Sequence, residues 1–119
     1  MNIAVDRVTE YLFARYGIKF DPIPNRQNVK LNDDNNEFVE LFSYDKKSIS
    51  ICMIVNRVPK VSIDFYNEIG IYCNKHYPNN LFIAFQENMS LEIHKNLKEY
   101  LKDLEQRVEI IEMKDIIGS

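Results

Sequence analysis

The acidic residues near the first predicted hairpin are the first candidates for chemistry in this chain. Glu37 and Glu40 lie on a segment with strand character, directly after an acidic and amide-rich run that contains Asp33 and Asp34. Paired carboxylates can act as general acid and base or hold a divalent cation. Residues three apart on a strand point to opposite faces, so these two glutamates form no such pair by themselves. A solvated edge residue and an incidental inward residue are the simpler interpretation, and Asp33 and Asp34 fit a turn.

The second candidate is the pair formed by Cys73 and His76, which lie one helical turn apart and could both reach one zinc ion. A structural zinc site uses four ligands, usually as two close pairs, and this is the one close pair in the sequence. Cys52 and His94 stand elsewhere in the chain. We therefore predict no metal and no cofactor, with both cysteines buried and reduced rather than joined in a disulfide.

Several other kinds of site are excluded by composition. The three glycines, Gly17, Gly70 and Gly118, are too far apart for a phosphate-binding loop or a dinucleotide fingerprint. No nucleophile elbow surrounds either cysteine, so a Cys–His catalytic pair is not predicted.

The 119 residues are 45% hydrophobic with a net charge of -3, which predicts one globular domain over residues 1–119. No apolar run reaches the about 20 residues of a membrane span and no secretory signal is visible, so we expect a cytoplasmic location, in a cell or a virus-infected cell, and no membrane contact.

The charge is unevenly distributed along the sequence. Residues 1–60 carry nine Lys and Arg against eight Asp and Glu, whereas residues 61–119 carry six against ten. Bulk charge therefore disfavours a protein that coats nucleic acid, and predicts that any nucleic-acid binding is weak and strongly dependent on salt. The candidates for a local basic patch fall in predicted loops and turns: Arg26, Lys30, Lys46, Lys47, Arg57 and Lys60.

Hydrophobic periodicity predicts the elements that position these residues. Helices are expected over residues 4–16, 62–76 and 90 to about 106, and strands over 29–31, 37–44, 48–55, 81–85 and 108–113, with turns at 32–36 and 45–47. Gly17 should end the first helix, Ser62 and Ser90 should cap the second and third, and Gly70 should mark close packing. Strand 81–85 should be central, and the residues expected in the core are Val55, Ile69, Phe82, Ile83, Leu97 and Leu101.

The predicted order is α-β-β-β-α-β-α-β, which indicates an α/β (α+β-like) domain with a mixed sheet of about four or five strands and three helices. Over residues 4–87 it resembles the core of the restriction-endonuclease-like fold, the PD-(D/E)xK nuclease superfamily. The resemblance implies that an acid near the start of the second core strand, and an acid-x-Lys on the third, hold a divalent metal and a water. Glu37 or Glu40 stands where the first acid belongs. The third strand offers Ser48, Ser50 and Cys52 instead of the acid-x-Lys, so the resemblance rests on element order and implies a catalytically degenerate member.

Two functions are therefore considered, and the non-enzymatic one is preferred. The first is a binding or assembly module associated with nucleic-acid metabolism, with a protein partner or a second copy of the chain as its occupant. Its candidate surfaces are the free edge of the hairpin and the first helix, which carries Tyr11 and Tyr16. The alternative is a divalent-metal-dependent nuclease with migrated acids, and its candidates are Glu37, Glu40, Asp64 and Glu87. Three carboxylates within reach of one metal would favour the enzyme, and a face lined by serine and cysteine would favour the module.

Overall fold

The computed structural model describes residues 3–31, 34–45 and 47–117, and within them the side chains of residues 5–25, 38–45 and 47–116. Helices and strands alternate much as the sequence predicts. In chain order the elements are α1 (Ile3–Tyr16), β1 (Asn25–Leu31), β2 (Asp34–Asp45), β3 (Ser48–Val55), α2 (Ser62–His76), β4 (Asn80–Phe85), α3 (Leu91–Leu101), β5 (Arg107–Glu112) and α4 (Met113–Ile117).

The strands form one mixed sheet in the order β1-β2-β3-β4-β5. Neighbours are antiparallel from β1 to β3 and parallel from β3 to β5, so α2 and α3 serve as the crossover connections that parallel neighbours require. The middle strand is β3, where Cys52 pairs with Leu41 on one side and Phe82 on the other. Strand β4, predicted to be central, is internal and lies one position closer to the β5 edge. The predicted α/β class, with a single mixed sheet, is confirmed.

Each face of the sheet has its own core. Ile51, Met53 and Val55 of β3 pack beneath α2 and α3, whereas Cys52 and Ile54 face α1. This alternation is the one that the two-residue period of β3 predicts. All the predicted core residues are buried, at no more than 5% exposure: Val55, Ile69, Phe82, Ile83, Leu97 and Leu101.

The helix ends confirm two predictions and correct two others. Gly17 ends α1 with φ +70°, and the Ser90 hydroxyl accepts from the Ile93 N–H at 3.2 Å at the start of α3. Ser62 is the first helical residue rather than the cap, because the chain is already extended at Val61, whose side chain makes no capping hydrogen bond. The prediction that Gly70 marks close packing is wrong, since a side chain there would point into open space.

Several predicted boundaries shift. Residues 34–36, predicted as part of a turn, belong to β2, because Asp34 pairs directly with Leu31 and the strand hydrogen bonds outweigh the turn propensity of Asp and Asn. Residues 32, 33 and 46 of the predicted turns lie outside the described residues. Helix α3 ends at Leu101, because Asp103 and Leu104 donate to carbonyls three residues back and tighten the chain into a turn. The five residues of α4 form a fourth helix that the sequence pattern did not indicate. None of the described helices is long and apolar enough to cross a membrane.

The two-sided burial of β4 predicts that alanine substitutions at two isoleucines differ greatly in their effect on stability. Ile83 is 0% exposed, so Ile83→Ala should lower the free energy of unfolding by about 3 kcal/mol through lost contacts and a residual cavity. The matched change Ile71→Ala, at a side chain 63% exposed, should change it by less than about 0.5 kcal/mol. Urea unfolding followed by circular dichroism measures both. Similar losses for the two variants would contradict the placement of β4 inside the sheet.

Candidate binding groove beside strand β5

Strand β5 has a free backbone edge. The Arg107 N–H donates to the Asn79 carbonyl at 3.3 Å, toward β4. Because backbone groups alternate in direction along a strand, Val108 and Ile110 turn their N–H and C=O groups away from β4. The outward N–H of Glu112 is taken by Asp115 Oδ2 at 2.9 Å. Within the described residues no strand lies beyond β5, so the edge offers the four backbone groups of Val108 and Ile110.

A groove with a volume of about 940 Å³ runs along this edge. One wall belongs to α1, with Tyr11, Arg15 and Tyr16, and the other belongs to α3 and the residue after it. The second wall carries His94, Lys98, Leu101 and Lys102. Ile111 faces α1, whereas Val108 and Ile110 pack on the α3 side, so β5 forms the floor between the two walls.

A connected set of polar groups lines the α1 side of the floor. The Tyr16 hydroxyl donates to Glu109 Oε2, and Arg107 contacts Glu109 Oε1 at 3.0 Å. The Arg15 guanidinium lies 5.8 Å from the centre of the Tyr16 ring. Burial, together with the hydrogen bond to Glu109, raises the pKa of Tyr16, so this hydroxyl remains a donor at neutral pH. The negative charge of Glu109 is thus already engaged by Tyr16 and Arg107.

The α3 side rests on a buried carboxylate. Glu112 is 0% exposed, and its oxygens accept from the Met89 N–H at 3.2 Å and lie 3.6 Å from Lys114 Nζ. His94 Nδ1 lies 2.6 Å from Glu112 Oε1. This hydrogen bond holds the His94 ring against the α3 wall of the groove. Burying a carboxylate is tolerated when several donors surround it, as they do here.

The groove is positively charged although the chain is acidic. Its Lys and Arg side chains outnumber its carboxylates by three, and by two if buried Glu112 behind the wall is included. The cations are Arg15, Lys98, Lys102, Arg107 and Lys114, and the lining carboxylates are Glu109 and Asp115. Four of these five cations come from residues 61–119, the half of the sequence with a negative net charge. The net charge of that half therefore gave no indication of a positively charged groove.

The predicted basic residues are divided between two ends of the sheet. Lys47 precedes β3, whereas Arg57 and Lys60 follow it, and the eight residues of β3 separate the two sets by roughly 26 Å. The strand register carries the backbone of Arg26 and Lys30 toward the Arg57 end. The side chains of Arg26 and Lys30, and the whole of Lys46, lie outside the described parts. The structure therefore does not bring the six candidates together as one patch.

Glu40, a candidate catalytic acid, is a buried structural residue. It is 2% exposed and lies on the α2 side of the sheet, opposite Met53 of β3. Asn25 Nδ2 donates to its Oε1 at 2.9 Å, and the Tyr72 hydroxyl donates to its Oε2. Burial and the hydrogen bond to Glu40 raise the pKa of Tyr72, which keeps this donor protonated.

The other candidate acids whose side chains are described form no metal-binding group with Glu40. Asp64, near the start of α2, and Glu87, just after β4, are both exposed, and the side chain of Glu37 lies outside the described parts. No group of three or more His, Cys, Asp or Glu in the described residues could hold a metal ion. Cys52 of β3 faces α1, on the face opposite Glu40.

The two cysteines are buried thiols on opposite faces of the sheet. Cys52 and Cys73 are both free, and burial raises the pKa of Cys73 to about 11 and that of Cys52 further still. Both therefore stay protonated at neutral pH, which makes them poor nucleophiles and poor metal ligands. The His76 ring lies 4.4 Å from the Tyr72 ring, centre to centre, so it packs in the aromatic layer of α2. The prediction of a free, buried thiol at each position is confirmed.

Comparisons of this chain with protein-family models, with curated proteins and with solved structures give no match.

The burial of Glu112 predicts a large loss of stability when its charge is removed. Glu112→Ala leaves His94, Lys114 and the Met89 N–H without their acceptor, and should lower the free energy of unfolding by about 3 kcal/mol. The control is Glu99→Ala, which removes the ion pair between Glu99 and Lys102. This pair is similar in length to the one between Glu112 and Lys114, but both of its side chains are about two-thirds exposed. It should cost less than about 1 kcal/mol. Equal losses in urea unfolding would contradict the structural role of Glu112.

Proposed function

We propose that this chain is a non-enzymatic binding or assembly module that takes an extended segment of a protein partner as an added strand along β5. The observation that carries the proposal is the free edge, where Val108 and Ile110 direct N–H and C=O groups into a walled groove. Addition of a strand to an open sheet edge is a common mode of peptide recognition, in which main-chain hydrogen bonds supply affinity.

The dimensions of the groove support this mode of binding. An added strand lies about 4.8 Å from its neighbour, and the six residues of β5 span about 20 Å. Val108 and Ile110 are half-buried on the α3 side, next to Leu101 and Leu104, and give the incoming strand an apolar surface between charged walls. Because α1 and α3 flank the edge on its two sides, an added strand would lie between them, next to β5.

The departures from the nuclease-like pattern support a module rather than an enzyme. The elements from α1 to β4 follow the order that the resemblance names. Glu40 lies on the second strand, but the third-strand residues on its face are Ile51, Met53 and Val55. Apolar side chains supply neither metal ligands nor a position for an attacking water. Both oxygens of Glu40 are also occupied by Asn25 and Tyr72. An association with nucleic-acid metabolism remains part of the proposal.

Within the described residues no metal-binding set surrounds Glu40, and the proposal therefore predicts no nuclease activity. Supercoiled plasmid and a DNA junction, incubated with the protein and Mg²⁺ or Mn²⁺, should remain intact on gels. Any cleavage would be tested with Glu40→Gln, which keeps the side-chain volume, and with Glu99→Gln, at an exposed position on α3, as a control. Cleavage that is lost in Glu40→Gln and kept in Glu99→Gln would contradict the proposal and favour the metal-dependent nuclease.

The strand-addition mode predicts a specific effect of proline at Ile110. Proline removes the outward N–H and places its ring where an added strand would lie, while the hydrogen bonds to β4 use the alternate residues. For peptides selected from a displayed library of random short sequences against the intact protein, Ile110→Pro should weaken binding by at least about tenfold. Ile110→Val keeps the N–H and should bind with nearly unchanged affinity.

Two measurements make this experiment decisive. Circular dichroism must show that Ile110→Pro is folded, and amide chemical shifts should place the bound peptide next to Val108 and Ile110. Peptides that bind the proline variant equally well, or that perturb other parts of the sheet, would contradict strand addition at β5.

A further inference from the structure

We infer that the segment bound along β5 is acidic, and that its carboxylates lie on the side that faces α3. The inference rests on the proposed strand addition and names the chemistry of the partner. It follows from how charge is distributed between the two walls of the groove.

The two walls differ in their unmatched positive charge. On the α1 side, Arg15 and Arg107 stand beside Glu109, which offsets part of their charge. On the α3 side, Lys98 and Lys102 are exposed and no carboxylate of that helix lines the groove, whereas the charge of Lys114 is offset by Glu112 and Asp115 lies at the end of β5. Lys98 makes no ion pair with any described residue, and the partner of Lys102, Glu99, does not line the groove.

The geometry of a strand turns this difference into a sequence preference. Successive side chains of an added strand point to opposite faces, so every second residue would meet the α3 wall. Acidic residues in that phase face lysines, and apolar or neutral residues suit the other phase, where Glu109 offsets part of the positive charge. The expected partner is therefore an extended segment in which acidic and apolar residues alternate.

A second copy of this chain fits the groove less well. Two β5 strands paired edge to edge would bring the lysines of one groove against the equivalent lysines of the other, and like charges in register are unfavourable. The carboxylates of β5 cannot relieve this repulsion, because Glu109 is held by Tyr16 and Arg107 and Glu112 is buried. A single-stranded nucleic acid would be attracted by the same cations but lacks a peptide backbone to pair with Val108 and Ile110.

The test measures the binding of three fluorescent peptides of about eight residues, in which valine alternates with glutamate, glutamine or lysine. Fluorescence polarisation with the intact protein should give the highest affinity for the glutamate peptide, about tenfold above the glutamine peptide, and the lowest for the lysine peptide. Higher salt should reduce the difference between the glutamate and glutamine peptides.

Two charge reversals on α3 provide the matched comparison. Lys98 and Lys95 are both exposed on this helix, but Lys98 lines the groove and Lys95 does not. Lys98→Glu should weaken binding of the glutamate peptide by about fivefold to tenfold and leave the glutamine peptide nearly unchanged. Lys95→Glu, with the same change in net charge, should alter either affinity by less than about twofold.

The outcomes separate this inference from the function on which it rests. If all three peptides bind equally and Ile110→Pro abolishes binding, strand addition stands and the acidic preference is wrong. If no peptide binds, or the proline variant binds as well, both fail, and the lysines act only to protect an open edge from pairing. Two other results would overturn the acidic-strand inference. One is tight binding of oligothymidine that is unchanged in Ile110→Pro, and the other is a dimer in sedimentation that becomes stronger in Lys98→Glu.

Discussion

The buried carboxylate of Glu112 holds together the parts of the molecule on which the β5 groove depends. It contacts His94 on α3, the Met89 backbone in the loop before that helix, and Lys114 on α4. Its own strand, β5, is also held by its pairing with β4 and by the packing of Ile111 in the core on the α1 side. The carboxylate thus fixes the distance between the α3 wall and the strand edge. Both oxygens of the buried side chain have polar neighbours, because Oε1 lies next to His94 Nδ1 and Oε2 lies next to the Met89 N–H and Lys114 Nζ. Loss of the side chain would leave these groups without that acceptor in a medium of low polarity.

The free edge of β5 raises a problem that every open sheet has, because unpaired backbone groups invite association with other chains. Here the edge is short and is flanked by cations. In the proposed binding mode, the same side chains repel basic strands, including those of a second copy, and attract a strand of opposite charge. Protection and selection then have one cause, because the lysine wall disfavours basic segments by like charge and favours acidic ones by opposite charge. The walls would supply the specificity, and the backbone would supply the part of the affinity that a neutral segment shares.

Much of the fold follows from local sequence, because the strongest patterns belong to elements that contribute regularly spaced side chains to the core. The alternation in β3 and the apolar stripe of α2 predicted both ranges correctly, and the apolar run of β4 predicted an internal strand. The hairpin was harder, because residues 34–36 are polar and are held in β2 by cross-strand pairing with β1, which composition does not reveal. The site was the least predictable part. Tyr72 and Glu40 are 32 residues apart, as Tyr16 and Glu109 are 93 apart, and nothing local to either member indicates its partner.

The contrast between Glu40 and the edge of β5 is the reason for proposing a binding role rather than hydrolysis. An acid within a sheet can serve catalysis only if its neighbours on the same face admit a metal and water. At Glu40 those neighbours are core side chains packed against α2, and the carboxylate is already satisfied by Tyr72 and Asn25. Those core side chains stabilise the sheet, and Glu40 also lines a cavity of about 290 Å³ whose polar neighbours include one further acid, Glu68, with Lys75 and His76. The β5 groove instead combines a free backbone edge with five cations, and this combination suits the proposed pairing with an extended segment.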